Sequence, residues 1–538
     1  MLYKFLALFL LLTVGLNASI PKNIEAFNKL PRSIAKDYYM YRFLRETNAS
    51  SGDAKKLLIE AKRINLKLFH TFAKRLDDEA FTKVSKCLKL KTNKLLKEDN
   101  DCIDIGLSIY DAFSLDRKTL KELHDRLKNY KDINETLEVL SSKSIFKAAI
   151  LKPKLFIKIL NHAGAKNRKR YLNKELSKSE IDSLLKFKRF NKSIEIIMTQ
   201  RELHNLQKSL LQIAPDSNLS AKSLFFLALN ATEFDDKKLA LEYLENSYKK
   251  AYYRFDKDKV NFWRYLLTKK KKYLEELGKS FDVNIYTIYA REKLGSKFEN
   301  IKVPKVSSKE INYDIKNPFL WTKLLRKLKD KNSTTLTKIA NKFKYKNSIA
   351  QYSFIKERAS GYKTHYFPMP FSDYLKKISI ERRSLIFAIA RQESRFIPSS
   401  ISTSYALGMM QFMPFLASAI AKQQKSKNFD LDNMFDPKTA YKFANLHLNY
   451  LVKKLQNPLF VAYAYNGGIG YVRRLLKSGN FFQKGKYEPY LSIELISYPQ
   501  TRKYGKKVVA NYIIYMQLLG KKVSLSDIIQ KTSKGALK

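Results

Sequence analysis

Residues 379–396 read SIERRSLIFAIARQESRF, and this stretch predicts one helix that ends in a carboxylate. Ser379 is a suitable N-cap for that helix. At helical spacing Ile386, Ile389 and Glu393 share one face, so Glu393 lies at the C-terminal end of an apolar stripe. Burial and the negative pole of the helix both disfavour an ionised carboxylate there and raise its pKa. A carboxyl that stays protonated near neutral pH suits general acid catalysis, and Glu393 is the candidate catalytic residue.

The stretch that follows this helix lacks acidic residues. Residues 394–429 contain no Asp or Glu, whereas the whole chain has 50 in 538 positions. A retaining or inverting glycosidase needs a second carboxylate across the scissile bond. This stretch cannot supply it, although a distant segment could. The gap favours a mechanism with a single acid, in which the substrate provides its own nucleophile.

Two further stretches combine polar and small residues. Residues 402–414 read STSYALGMMQFMP, where apolar side chains surround the amide of Gln411. Burying that amide without a partner would cost about 1–3 kcal/mol, so either a ligand or the backbone must bond to it. Residues 464–470 read AYNGGIG and predict a glycine-rich turn after a helix over residues 436–455. No predicted strand precedes the turn, which argues against a phosphate loop and for close approach of the backbone to a sugar.

The distribution of glycine predicts the domain organisation. Residues 19–300 contain only five glycines and four prolines, and their helical periodicity with short polar breaks predicts an α-superhelical domain. Residues 301–366 predict a helical linker domain, which ends before Pro368 and Pro370. Residues 367–538 form the predicted C-terminal domain. The predicted fold class is therefore mainly α.

The charge balance narrows the class of partner. The chain has 103 Lys and Arg against 50 Asp and Glu, which gives a net charge of +53. Such a field favours an anionic partner, which would be nucleic acid, an anionic membrane or a carboxylate-bearing cell wall. A solvated, lysine-rich surface without such a partner is the alternative.

The first residues predict export from the cytoplasm. Lys4 precedes an apolar run over residues 5–16, and the small residue Ala18 follows. This order is typical of a secretory signal over residues 1–18 that is cleaved after Ala18. An uncleaved membrane anchor is the alternative, although the run is short for a membrane span. A secreted chain is a poor candidate for a nucleic-acid-binding protein, so the charge points to the cell envelope.

The chain has two cysteines, Cys87 and Cys102. In an oxidising compartment they could form a disulfide, worth roughly 3 kcal/mol in the chain-entropy model; two separate buried thiols are the alternative. No cluster of Cys and His indicates a metal site. His447 lies in a helical pattern without a partner and is interpreted as structural.

Four short blocks in the C-terminal part resemble the soluble lytic transglycosylases, which are lysozyme-like muramidases. They occur in that family's order: ARQESRF (390–396), ALGMMQFMP (406–414), AYNGG (464–468) and QTRKY (500–504). Each block alone is modest, but four in order with suitable spacing are highly specific. The resemblance implies a lysozyme-like catalytic domain over residues 367–538. Residues 19–300 also resemble the superhelical domain of the family's large soluble members, on architecture alone.

The resemblance implies roles for individual residues. Glu393 would act first as general acid and then as general base. Ser394 and Ser402 would hold Glu393 and the acetamido sugar, and Arg502 and Tyr504 would complete the wall of the cleft. The full set of implied substrate-binding residues is Ser394, Ser402, Met410, Gln411, Tyr465, Asn466, Arg502 and Tyr504.

The chain departs from the family pattern at three positions. Tyr405 stands where the family usually has Gly, which changes the turn before Gln411. Gly467 replaces the usual Ala, a mild change. Gln500 replaces the acidic residue of the last block. Glu494 lies nearby as a candidate substitute, and both Glu494 and Gln500 are counted with the predicted substrate-binding residues.

The resulting prediction is a peptidoglycan lytic transglycosylase, a carbon–oxygen lyase. It would cleave the β-1,4 bond between N-acetylmuramic acid (MurNAc) and N-acetylglucosamine (GlcNAc) without water and leave 1,6-anhydro-MurNAc ends. The predicted partners are peptidoglycan glycan strands and other cell-wall enzymes, the predicted location is the periplasm, and no cofactor, metal, nucleic acid or membrane span after signal cleavage is predicted. A hydrolytic muramidase on the same bond and a superhelical glycan-binding scaffold without activity are the alternatives.

Overall fold

The computed structural model describes residues 21 and 23–532, and helices account for most of this part of the chain. The prediction of a mainly α fold is confirmed. Within the described residues, every helix is too short or too polar to cross a membrane. The predicted signal over residues 1–18 lies outside the described residues.

The first part of the chain, up to residue 300, is an array of helices in which sequence neighbours pack against each other. Most of them begin at a Ser, Asp or Asn that caps the first turn, and Ser50 and Ser177 form complete capping boxes. A π-helical turn follows the thirteenth helix. The elements are α1 (Ile24–Asn28), α2 (Ile34–Glu46), α3 (Ser51–Glu60), α4 (Leu66–Ala73), α5 (Glu79–Cys87), α6 (Thr92–Leu95), α7 (Asn100–Gly106), α8 (Ile109–Ala112), α9 (Arg117–Arg126), α10 (Lys131–Ser141), α11 (Ile145–Ile150), α12 (Pro153–His162), α13 (Gly164–Asn167), the π-helix Arg168–Leu172, α14 (Lys178–Leu185), α15 (Phe190–Thr199), α16 (His204–Leu210), α17 (Ala221–Glu233), α18 (Lys237–Lys250), α19 (Arg254–Thr268), α20 (Lys271–Gly278) and α21 (Ile285–Leu294).

A small hydrophobic cluster within residues 87–140 stands apart from the main core. Cys87 and Cys102 lie in it and are joined by a disulfide, with their Cα atoms 5.2 Å apart. The bond connects α5 to α7, which also pack against each other. The structure thus has the disulfide and not the pair of separate thiols.

A short parallel strand pair encloses the next segment. Strand β1 (Ile301–Lys302) pairs with β2 (His365–Tyr366), a contact that the sequence did not predict. Between the strands lie α22 (Pro318–Leu328), α23 (Ser333–Asn341), a 3-10 helix at Lys346–Ser348 and α24 (Ile349–Ala359). The main hydrophobic core runs without a break through this segment into both neighbours. The domain limits at 300 and 366 stay a prediction.

The last segment surrounds one buried helix, α25 (Ile380–Ser394). Ser379 caps it by accepting a hydrogen bond from the N–H group of Arg382, so the predicted helix and its cap are confirmed. Helix α25 packs against α27 and α31, and α28 packs against α31. The remaining elements are 3-10 helices at Ser372–Leu375 and Leu431–Phe435, α26 (Pro414–Gln423), α27 (Pro437–Leu455), α28 (Pro458–Gly467), α29 (Ile469–Lys477), α30 (Tyr490–Leu495), α31 (Pro499–Leu518) and α32 (Leu525–Gln530).

The N-terminal helices contact this last segment directly. The ring of Tyr405 packs between Tyr38 and Tyr41 of α2, with centroid distances of 5.7 and 5.4 Å. Close by, the Arg42 guanidinium forms ion pairs with Asp430 at 2.6 Å and Asp432 at 2.9 Å. The beginning of the helical array is thereby fixed to the loops that follow α25.

Candidate active site

Glu393 is the second-last residue of α25 and is partly buried. Its Oε1 atom accepts a hydrogen bond of 2.7 Å from the hydroxyl of Tyr504, a residue of α31 that is 4% exposed. Burial raises the pKa of Glu393 to about 7, although the hydrogen bond from Tyr504 acts in the opposite direction. Among the described residues no charged group adds to these two effects. The pKa of the carboxyl is therefore raised towards neutral pH, as the apolar stripe predicted.

The backbone turns sharply just after the carboxyl. Arg395 and Phe396 have φ values of +56° and +65°, a left-handed conformation that is uncommon for residues other than glycine. The side-chain hydroxyl of Ser394 donates a hydrogen bond of 2.9 Å to the carbonyl of Met409. This bond attaches the end of α25 to the loop that carries Gln411.

The surroundings of Glu393 are aromatic and uncharged. The hydroxyl of Tyr465 donates to the carbonyl of Met410 at 2.9 Å, and burial together with the charge of Glu393 raises the pKa of Tyr465 well above its usual value. The ring of His447 lies 5.6 Å from the ring of Tyr465. Burial lowers the pKa of His447 to about 4, so its imidazole is neutral at pH 7. Glu393 is thus the group of this set that exchanges a proton near neutral pH.

The loop around Gln411 is held by its own backbone. The Nε2 atom of Gln411 donates to the carbonyls of Gly408 at 2.7 Å and Ser400 at 3.2 Å, so the backbone is the partner of the amide nitrogen. A Cβ atom on Gly408 would lie 2.0 Å from the carbonyl oxygen of Met434, so only glycine fits there. The amide oxygen of Gln411 accepts no hydrogen bond from the described residues and is available to a ligand.

Asn466 contributes a second available amide. Its Oδ1 atom accepts a hydrogen bond of 2.9 Å from the hydroxyl of Thr501, which fixes the orientation of the side chain. The Nδ2 group has no partner among the described residues, and Asn466 is partly buried. Tyr465 and Asn466 lie in the last turn of α28, whereas the sequence predicted a turn for both residues. The break comes at Gly468, whose φ is +82°.

Two predicted substrate-binding residues are buried in ion pairs elsewhere. Glu494 is 3% exposed; Lys506 donates to its Oε2 atom at 2.6 Å, and Tyr286 donates to its Oε1 atom. It cannot replace the acidic residue missing at Gln500, because both of its oxygens are occupied. Arg502 is 7% exposed and forms an ion pair of 2.6 Å with Glu195, so it does not complete the wall of a cleft.

The structure also places three other predicted residues. Met410 is fully buried, and its carbonyl accepts the hydrogen bond from Tyr465. The hydroxyl of Ser402 accepts from the N–H groups of Ser404 and Ala406 and therefore shapes a turn. Gln500 is exposed near the start of α31.

Sequence reasoning missed Thr501 and Glu195. Thr501 stands inside the QTRKY block, so its place beside the predicted residues was a usable signal. Nothing in the sequence marks Glu195, which lies 307 positions before its partner Arg502.

The comparisons with known proteins concern mainly the C-terminal part. Residues 371–487 match the family model described as "Transglycosylase SLT domain". Over 164 residues the chain is 32% identical to "Soluble lytic murein transglycosylase" of Escherichia coli (strain K12). This aligned stretch is 30% of this chain but only 25% of that protein. Over 115 residues it is 40% identical to "Membrane-bound lytic murein transglycosylase C" of Serratia proteamaculans (strain 568), covering 19% and 31% of the two chains.

Among solved structures, the 70 kDa soluble lytic transglycosylase from Escherichia coli aligns with 96% of this chain and 91% of that one. The TM-score is 0.49 and the identity 17%. The family match confirms the family that the sequence blocks indicated. Residues 371–487 thus match the transglycosylase SLT domain family, and the chain spans about a quarter of the length of the soluble murein transglycosylase that it resembles.

Proposed function

We propose that this protein is a lytic transglycosylase that cleaves the MurNAc–GlcNAc β-1,4 bond of peptidoglycan with Glu393 as its single acid. The observation that carries the proposal is the Glu393 carboxyl, whose pKa of about 7 lets it both give and take a proton at neutral pH. The uncharged surroundings support a mechanism without a second carboxylate. The names of the relatives, which describe murein transglycosylases, support the substrate.

In the proposed first step, the protonated Glu393 donates its proton to the glycosidic oxygen. The bond between that oxygen and C1 of MurNAc breaks, and its electron pair stays on the departing GlcNAc oxygen. The acetamido carbonyl of MurNAc then stabilises the positive charge at C1. The hydrogen bond from Tyr504 stabilises the carboxylate that remains, because a hydrogen bond to the charged form lowers its energy.

In the proposed second step, ionised Glu393 takes the proton of the MurNAc C6 hydroxyl. The C6 oxygen attacks C1 and closes a 1,6-anhydro ring, so no water is consumed. The Nδ2 group of Asn466 and the Oε1 atom of Gln411, which have no partner among the described residues, are suited to hold the sugar's acetamido and hydroxyl groups during both steps.

Digestion of purified sacculi, followed by mass analysis of the soluble muropeptides, tests the proposal. Products one water lighter than the hydrolytic ones are expected. Free reducing ends would instead assign a hydrolytic muramidase, and retained binding without soluble product would assign a glycan-binding scaffold.

Glu393→Gln is expected to abolish product release. Glu381→Gln is the matched control, because it makes the same change at the other end of the same helix, where Glu381 is ion-paired with Lys521. Full activity of Glu393→Gln would refute the assignment of the acid.

We also propose that the protein acts in the periplasm on peptidoglycan glycan strands, in company with other cell-wall enzymes. The murein-directed names of the relatives support that location, since murein lies outside the cytoplasm. Cell fractionation followed by immunodetection tests it, and detection only in the cytoplasm would contradict it.

A further inference from the structure

A crevice of about 320 Å³ lies far along the chain from the candidate active site, between α9, α10, α11 and the π-helix. It occurs where the disulfide-bonded cluster meets the main core, since Phe113 and Ile145 contact both. We call it the seam pocket. Its floor is apolar and includes Leu120 and Leu140, which are both buried.

Four cations surround the seam pocket. Arg117 opens α9, Lys143 lies in the turn between α10 and α11, Arg170 belongs to the π-helix, and Lys174 follows it. None of the four side chains forms a hydrogen bond or an ion pair with another described residue, although Arg170 lies over the ring of Tyr171. No Asp or Glu lines the pocket within the described part of the chain.

The lining of the pocket would attract an anion. Four positive, exposed side chains from separate parts of the chain line one concavity, and no described acidic residue lines it. Two nearby cations are paired with acids, Lys152 with Glu138 and Lys169 with Glu202, whereas the four cations of the pocket have no such partner among the described residues. The unpaired set therefore fits an anion that brings more than one negative group.

The floor of the seam pocket is aromatic and apolar, so it suits a ligand that also has apolar groups. Phe113 and Tyr171 stack with ring centroids 5.5 Å apart, and Tyr171 lies in the π-helix, an irregularity that often marks functional sites. A ligand that carries both negative groups and small apolar groups would match this lining. A flat lipid headgroup layer fits a concave pocket less well than a single extended molecule does.

We propose that the seam pocket binds the anionic peptide stem of peptidoglycan, and this rests on the proposed function. The stem carries several free carboxylates and alanine methyl groups, which match the cationic rim and the apolar floor. Binding there would hold the helical array on the wall through the peptides while the C-terminal domain acts on the glycan.

Calorimetric titration of the full-length protein with the free tetrapeptide stem, released from sacculi by an amidase, tests the inference. The variant Lys143→Gln with Arg170→Gln is expected to bind the stem roughly tenfold more weakly, because it removes two exposed charge contacts. The matched control is Lys55→Gln with Lys56→Gln, which removes two exposed cations of α3 that form no ion pair within the described part of the chain, and its affinity should be unchanged. A stem with methylated carboxyl groups should bind weakly to all variants.

Three results would overturn the inference. The wild-type protein does not bind the stem, or the control variant loses as much affinity as the pocket variant. In the third, the wild-type protein binds anionic phospholipid vesicles and not the stem, and the pocket variant abolishes that vesicle binding. The test is separate from that of the proposed function, because the stem contains no sugar. If only the inference about the pocket is wrong, the wild-type protein and the pocket variant still cleave sacculi in a Glu393-dependent manner. If the proposed function is wrong, the wild-type protein releases no anhydro product, whatever its affinity for the stem.

Discussion

At the scale of single residues, the hydrogen bond from Tyr504 lowers the proton affinity of Glu393, which burial raises. The bond stabilises the carboxylate and lowers its pKa, so Tyr504→Phe should raise that pKa. We expect the alkaline limb of the kcat/KM profile on soluble glycan to move up by roughly one pH unit. Tyr465→Phe is the control, since its hydroxyl bonds to the Met410 carbonyl and not to Glu393. A limb that stays in place or moves to lower pH would show that the bond does not control the acid.

The raised pKa of Glu393 also predicts a cost in stability. The folded-state pKa is about 7 against an ordinary 4.5, so the folded protein holds this proton more tightly than the unfolded chain does. Stability from this group is therefore lost as pH rises from 4.5 to 7. Glu393→Gln should raise the free energy of unfolding at pH 8 by about 2–3 kcal/mol and leave it nearly unchanged at pH 4. Unfolding in urea at both pH values measures this.

Glu381→Gln serves as the control for that measurement. The hydrogen bond from Lys521 lowers the pKa of Glu381, so its ionised form favours the folded state at pH 8. No gain in stability is expected from this variant. An equal gain in both variants would show that the effect of Glu393 is not specific to its buried carboxyl.

At the scale of elements, helix α31 connects the acid to the N-terminal array. Its residues Arg502, Tyr504 and Lys506 reach Glu195 of α15, Glu393 of α25 and Tyr286 of α21, respectively. Buried pairs of this kind are weak sources of net stability, but the loss of one partner leaves an uncompensated charge. The array thus helps to fix the helix that carries Tyr504.

A double-mutant cycle at Glu195 and Arg502 tests this connection. Glu195→Leu alone should cost about 3–5 kcal/mol, because the guanidinium of Arg502 is left buried with fewer acceptors. Glu195→Leu with Arg502→Met should cost much less than the sum of the single changes. Additive costs, measured by urea unfolding, would mean that the pair does not act as a unit.

The sequence was sufficient to predict α25 and the raised pKa of its acid, but not the contacts that the residues of α31 make. Ser379, the apolar stripe and Glu393 are local signals within one helix, so both the element and its raised pKa could be predicted. The role of Arg502 depends on Glu195, which only the tertiary fold brings close to it. The family resemblance had instead assigned Arg502 to substrate binding. The local pattern likewise did not decide whether a ligand or the backbone bonds to the amide of Gln411. In the structure, backbone carbonyls accept the hydrogen bonds of the amide nitrogen.

At the scale of the whole molecule, Tyr405 explains one departure from the family pattern. It has a φ of +67°, a conformation suited to glycine, yet its ring is 1% exposed between Tyr38 and Tyr41. The backbone strain at Tyr405 is offset by the contacts that its ring makes between the start of the array and the loop before Gln411.

Replacing this residue should loosen both ends of the contact. Tyr405→Gly relieves roughly 1 kcal/mol of strain but loses buried ring contacts, for a net cost of about 2–4 kcal/mol. Amide hydrogen exchange in α2 should become faster, whereas Tyr405→Phe, which keeps the ring and loses the hydroxyl's bonds to the Asp37 carbonyl and to Asn65, should leave it nearly unchanged. Unaltered exchange of α2 in the glycine variant would mean that the ring does not secure it.

The ion pair across 307 positions also constrains how such a chain can diverge. A descendant that loses the acid at Glu195 would be expected to lose the base at Arg502 in the same lineage, since either change alone is penalised. An N-terminal array borrowed from a relative could replace this one only if it brought a carboxylate to the same place. We therefore expect the two halves to diverge as a matched set, and a graft of either half should need the complementary residue in its new partner.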